Sequence, residues 1–322
     1  VKLTLQLHEG FDDDDLVYAL QIGVRYVTVS TTGADLNTLR QVKTRIESAG
    51  LALTNIGDTS VHNMRSVTLG LPDRDQKIEE YLHYLANIAA LGLTYTTYAH
   101  MANGIWQSSQ PGSARGGALA RMYEPETATG FWVGDEYAMT TVDGCEYSPE
   151  EIWANFHYFV KQVAPVAESL GINIGLHPDD PPGLTLGGVP RCVASSWEGY
   201  QQAFELANSP NLGICLCLGT WLEGGASMGC TPEEAIRGFA AQGRLWKVHF
   251  RNVDAPLPRF TETFIDAGYG DMRRYMRTLK EVGFNGIVIV DHVPRMVGDG
   301  RNPWSLSIGY MQGLMDELEV ER

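Results

Sequence analysis

Eight short strand-like runs, each followed by enough chain for a helix, set the tightest limit on how this sequence can fold. They are "KLTLQLH" (2–8), "YVTVS" (26–30), "ALTNIG" (52–57), "TYTTYAH" (94–100), "NIGLHP" (173–178), "LGICLCLG" (212–219), "LWKVHF" (245–250) and "GIVIVDH" (286–292). Strand-length runs that alternate with helical patterns indicate β/α units and a parallel sheet. The intervening "DRDQKIEEYLHYLANIAALG" and "SPEEIWANFHYFVKQVAPVAESLG" are amphipathic. In the second, Ser148 stands as N-cap with Glu151 as its capping-box partner, and Gly171 marks the stop. "TPEEAIRGFAAQG" repeats that grammar with Thr231 and Gly243. Eight such units predict an α/β fold, a (β/α)8 barrel forming one domain over residues 1–322.

The irregularity is 101–147, rich in Gly, Ser and Met and without a period, between the fourth strand and its helix. A loop of that length in a compact domain is usually a lid, a binding loop or an oligomer contact.

Charge narrows the partners. With 24 basic and 39 acidic side chains the formal charge is −15, which speaks against nucleic acid and anionic membrane surfaces. A small anionic substrate stays open, provided arginine or a metal reverses the local field. No run of about 18 apolar residues predicts a membrane span. The opening residues lack the cationic and apolar regions of a signal peptide. The five cysteines (145, 192, 215, 217, 230) form no paired framework; free thiols in a cytoplasmic protein are the expectation.

On such a barrel four ligand-type residues fall at consecutive strand ends: His177 on the fifth, Cys217 on the sixth, His249 on the seventh and Asp291 on the eighth. Barrel active sites sit at those C-terminal ends, and adjacent strands are only about 4.8 Å apart. Two imidazoles, a thiolate and a carboxylate would make a divalent-metal site. Singly, each has a plainer explanation. A cysteine in an apolar strand is usually a small core residue, the reading given to Cys215, and Asp291 could cap a loop. It is the joint placement that points to a metal.

Others belong to the same face. Arg251, two residues past His249, could grip a carboxylate or form a salt bridge to Asp179 or Glu262. His292 could be a general acid or base or an ordinary surface histidine. His100 and Trp106 could wall a pocket after strand four, although Trp106 fits plain packing equally well. "DDPP" (179–182) could be no more than a rigid turn. A Lewis-acidic ion beside an arginine and a neutral-range histidine suits proton abstraction next to a carboxylate with loss of a hydroxyl, that is, dehydration of a sugar acid. The same groups suit sugar isomerisation or epimerisation. A non-catalytic sugar-binding protein is the third reading.

The stretch "WANFHYFVKQVAPVAESLGINIGLHPDDPPGLTLGGVPR" (153–191) resembles the mannonate dehydratase family. So do "LGICLCLGT" with Cys217, "KVHFRNV" with His249 and Arg251, "GDM" (270–272), "VDHVPRM" with Asp291 and His292, and "GLPDRDQKIEEYLHYLANIAALG" (70–92). The resemblance runs from about residue 70 to the C-terminus, interrupted by 101–147. It implies a xylose isomerase-like barrel that dehydrates D-mannonate to 2-dehydro-3-deoxy-D-gluconate and assembles as a dimer or larger homo-oligomer. It also implies Mn2+ held by His177, Cys217, His249 and Asp291, with His292 and, in a remodelled pocket, His100 in proton transfer. A thiolate ligand alone would favour Zn2+ or Fe2+.

The sequence departs from the family pattern on the substrate side. Trp304 and Ser305 stand where the family has Gly-Tyr, and Tyr310 stands in place of an arginine. Thr261 and Ile265 replace histidines, while Glu262 is kept. "YAHMANGIWQSSQ" loses the asparagine and the arginine of the family's motif after strand four, and a helical insertion is shortened to 107–147. Arg251, Trp106, Glu262 and Ser305 are the expected substrate-facing residues, in a pocket rebuilt for a sugar acid or a related sugar.

Overall fold

A computed structural model describes residues 1–139 and 144–320. Among these, eight parallel strands form the barrel: β1 Lys2–His8, β2 Tyr26–Thr31, β3 Ala52–Asp58, β4 Tyr95–Tyr98, β5 Asn173–Leu176, β6 Leu212–Cys217, β7 Leu245–His249 and β8 Ile287–Ile289. The sheet order is β3-β2-β1-β8-β7-β6-β5-β4. The remaining seam, β3 to β4, carries only an isolated bridge between Asn63 and Ala99, with the Ala99 N–H donating to the His62 carbonyl at 2.8 Å. The barrel is therefore nearly closed. Every one of the eight predicted runs overlaps one of these strands, with ends displaced by zero to three residues; β2 and β3 each run one residue past the prediction.

The outer layer is α1 Asp13–Gln21, α2 Leu36–Ser48, α3 Arg74–Ala90, α4 Pro149–Leu170, α5 Trp197–Ala207, α6 Pro232–Ala241, α7 Met272–Glu281 and α8 Asn302–Val320. The capping boxes on α4 (Ser148 with Glu151) and α6 (Thr231 with Glu234) form as the residue types require. Gly171 ends α4 at φ 66°, a left-handed conformation that costs a residue without Cβ little. Strands buried on both faces read as unbroken apolar runs, and all of β6 is buried. Packing between sheet and helices is rich in rings: Tyr98 stacks on Phe159 at 4.4 Å, and Tyr81 meets both edge-on. Inside the barrel, Tyr95, Ile287 and Ile289 form a separate small cluster.

The 101–147 segment is not an irregular loop, and where described it holds no α-helix; a 3₁₀ turn occupies Arg115–Gly117. Ile105–Ser108, Ala128–Trp132 and Asp135–Tyr137 make a three-stranded antiparallel sheet. Met122–Tyr123 pairs with Phe260–Thr263, which lies beyond β7. Strands of two to five residues, some paired with chain more than a hundred residues away, leave no local period to read. The part at 140–143 lies outside the described residues. No helix among the described residues is long and apolar enough to cross a membrane.

Replacing Ser148 by Ala should cost about 1 kcal/mol. A denaturant titration with unchanged m-value is the check, and no loss would mean that the box contributes nothing to α4.

Candidate metal centre

The sixth strand hands its last side chain, Cys217, to the barrel mouth, and the seventh hands over His249; the two residues are register partners. His177 follows the end of β5 directly. One ligand atom from each of His177, Cys217 and His249 lies within 4.8 Å of the others, and all three residues are buried. Asp291, two residues past β8, brings Oδ1 to 3.3 Å from His249 Nδ1 and Oδ2 to 3.7 Å from Cys217 Sγ.

Local chemistry prepares each donor. His177 Nδ1 bonds the Pro178 carbonyl at 2.7 Å, as the N–H donor, which leaves Nε2 as a lone pair facing His249 Nδ1 at 3.3 Å. Burial and the neighbouring His249 press His177 down to about 3, so its ring is neutral and able to ligate. The Cys217 sulfur accepts from the Thr220 N–H (3.4 Å), at the start of helix Leu218–Gly224, and from Arg251 (3.3 Å). Burial opposes charge on His249, yet the Cys215 thiol and Asp291 raise it well above the ordinary histidine value. Burial would raise Asp291 too, but His292 and His249 hold it well below the carboxylate range. The field at this point favours positive charge, and a divalent cation satisfies it with the same donors. Donor types, burial and field all fit a metal.

Behind the ligands lies a layer of buried ions. Arg251, fully buried, pairs with Asp180 and Glu223, both at 3.0 Å, and with Glu262. It also lies 3.3 Å from Asp291 and donates to Thr220 Oγ1 at 2.8 Å. Arg121, from the 101–147 excursion, pairs with Asp180 and reaches Glu262 at 2.9 Å. Burial and the nearby Asp180 push Glu223 up to about 8, so of these carboxylates it is the one that retains a proton near neutrality. Gly219 makes room for the nest: a Cβ there would stand 2.2 Å from Arg251 Nε.

His292 has a half-open place. Its side chain is 35% exposed, and Nδ1 sits 2.8 Å from Glu262 Oε1. Burial disfavours the imidazolium, but Asp291 and Glu262 outweigh it and raise His292 above the usual value. A cavity of 280 Å3 opens beside it, lined by His177, His249, Asp291 and His292 on one side and by Asn55, His62 and Trp132 on the other. His62 and Trp132 stack at 5.5 Å.

Four expected positions read differently in three dimensions. Arg251 does not face the cavity, because β7 ends at His249 and strand alternation lapses there; it takes the ion-pair alternative, with Glu262 and not Asp179. His100, past the end of β4, is buried against Phe156, with Nδ1 2.9 Å from the Tyr98 hydroxyl. Burial holds it down to about 3, so it is no proton carrier and no pocket wall. Trp106 packs in the core, its N–H on Asn103 Oδ1 at 3.2 Å; alternation in Ile105–Ser108 turns Ile105 to the cavity instead. Ser305 bonds the Tyr18 hydroxyl at 2.9 Å, while Trp304 lines an adjoining cleft. Glu262 touches His292 as described. In "DDPP", Asp180 is part of the ion layer and Asp179 accepts from Ser195 at 2.8 Å. Sequence reading missed Arg121, His62, Trp132 and Lys247. Only Lys247 carried a signal, two residues before His249 on the same strand face.

The fold and this cluster define a xylose isomerase-like barrel with a candidate metal site at its mouth. The chain belongs to the D-mannonate dehydratase (UxuA) family, whose model matches residues 30–127 and 141–321. It is 30% identical over 302 residues to mannonate dehydratase 2 of Halalkalibacterium halodurans, covering 86% of each chain. Mannonate dehydratase from Streptococcus suis serotype 2 superposes with TM-score 0.80 at 24% identity, over 98% of this chain and 93% of that one. A xylose isomerase domain protein from Alicyclobacillus acidocaldarius gives 0.62 at 17%, over 98% of both.

Cys217→Ala and His249→Ala should each bind far less Mn2+ than the parent, read by elemental analysis after dialysis. Full occupancy in both would sink the cluster as a metal site. Arg251→Met, which strands buried carboxylates, should cost about 3–5 kcal/mol in a denaturant titration. A loss below about 1 kcal/mol would mean that the ion layer is not what holds the mouth together.

Proposed function

We propose that this chain is a metal-dependent hydro-lyase that dehydrates D-mannonate, or a closely related sugar acid, to a 2-keto-3-deoxy acid. The observation that carries the reading is the buried His177–Cys217–His249 cluster with Asp291 beside it, opening on a cavity of substrate size in a chain of this family. His177, Cys217, His249 and Asp291 would hold the ion, which when bound supplies Lewis acidity toward the carboxylate and its neighbouring hydroxyl.

The protein's own groups do the rest. His292 reaches the cavity with one ring nitrogen tied to Glu262, so the other is the edge that can meet substrate. With its affinity for protons raised, it stands ready to deliver one to the departing hydroxyl oxygen, and the Glu262 carboxylate steadies the imidazolium before and after transfer. With His100 sealed in the core, the proton-transfer role falls to His292. Ile105, His62 and Trp132 close the opposite side and exclude water from the reacting atoms.

Mn2+ is the ion we assign from the resemblance; Zn2+ and Fe2+ are its competitors because of the thiolate. Assembly into a homo-oligomer fits the exposed Phe131 and Val133 on the excursion. A cytoplasmic setting fits the five unpaired cysteines.

Mn2+-loaded protein incubated with D-mannonate should yield a product lighter by one water in mass spectrometry. A product of unchanged mass from a ketose, with mannonate left intact, would replace this reading by isomerase or epimerase chemistry. His292→Asn should lower kcat by about 10²- to 10⁴-fold with metal content intact, and wild-type turnover in that variant would remove His292 from proton transfer.

A further inference from the structure

Below the metal cluster the barrel interior is only partly filled by branched apolar side chains, Ile287 and Ile289 among them, where such barrels are ordinarily packed with them throughout. Gln6, Thr28, Asn55 and Thr97 line the cavity from β1, β2, β3 and β4, and Lys247 lines it from β7. Lys247 is only 5% exposed. Among the described residues its ammonium forms no ion pair and donates no hydrogen bond. The stem of the side chain is sunk in the barrel wall, and the unpaired ammonium is left facing the cavity. A second orphan shares the same wall: Asn55 Oδ1 is buried without a donor. The other cationic candidates are engaged or neutral. Arg121 and Arg251 are enclosed by carboxylates. Burial, with Lys247 and His249 nearby, holds His62 down to about 4.

We propose that Lys247 is the residue that selects an acid. Its ammonium receives the carboxylate of the substrate, and Asn55 Oδ1 accepts from a hydroxyl of the same molecule. This rests on the sugar-acid reading above and gives Lys247 the role that sequence reasoning assigned to Arg251. The geometry suits it. Lys247 lies two residues below His249 on one face of β7, about 7 Å of strand, a span that a lysine side chain covers. A carboxylate beside the metal cluster is thus within its reach. A neutral polyol could satisfy Asn55 but would leave the ammonium unpaired, so the cavity discriminates by charge.

Lys247→Met and Lys247→Arg, loaded with Mn2+, test this by thermal-shift titration with D-mannonate and with D-mannitol, alongside steady-state kinetics. The product keeps the carboxylate, so the titration reads the charge contact whether or not turnover occurs. Lys247→Met should weaken the apparent affinity for mannonate, and raise KM, by about 10- to 100-fold, with metal content and the mannitol response unchanged. Lys247→Arg should recover part of the loss. The unliganded Met variant should melt no lower than wild type, since the substitution breaks no ion pair and no hydrogen bond.

Unchanged mannonate affinity overturns the proposal. So does a fall in melting temperature with both ligands affected alike, the mark of a structural lysine. A loss confined to kcat also overturns it, by making Lys247 a proton carrier. If wild type binds mannonate without dehydrating it and Lys247→Met abolishes that binding, the inference stands and the dehydratase reading falls.

Discussion

One fully buried guanidinium organises the mouth of this barrel. Arg251 leaves the end of β7 and enters a space where Asp180, Glu223 and Glu262 converge, with Cys217 and Asp291 at its edge. A charge in that position is tolerated only when it is fully paired and hydrogen-bonded. Its partners are drawn from the turn after β5, the helix after β6 and the hairpin after β7, so pairing it fixes three separate pieces of chain at once. The ligating side chains inherit their positions from that arrangement. Cys217 is held by Arg251 and Thr220, and His292 is held by Glu262, which Arg251 also anchors.

The ion layer bears on the site through its balance. Two arginines face Asp180 and Glu262, with Glu223 protonated near neutrality, so the charge left over at the mouth is that of Asp291. Asp291, with the Cys215 sulfur at His249 and Glu262 at His292, raises both imidazoles above the ordinary histidine value. That carboxylate would favour a divalent ion at one end of the cavity, and it raises the proton affinity of His292 at its rim. Burial acts in the opposite sense on His177, which stays a neutral donor. Chemically identical imidazoles are thus set apart in proton affinity by their environment.

The excursion between β4 and α4 shows how a barrel of fixed frame acquires a particular pocket. Its short antiparallel strands supply Ile105 and Trp132 to the cavity and Arg121 to the ion layer.

Much of this was legible in the linear sequence because it rests on local periodicity and on topology that periodicity implies. Apolar runs of strand length and capped amphipathic helices dictate eight β/α units, and a parallel barrel of such units must bring residues 177, 217, 249 and 291 to one rim. What only the tertiary structure decided lies past the strand ends. Arg251 and His100 turned away from the cavity because alternation ceases to bind a residue once the ladder hydrogen bonds stop. Arg121 and Glu262 met across 141 positions through a pairing of two-residue and four-residue strands, and contacts of that range leave no trace in neighbouring residues. Burial, which separates a proton-carrying histidine from an inert one, is a property of the assembled core and not of any segment.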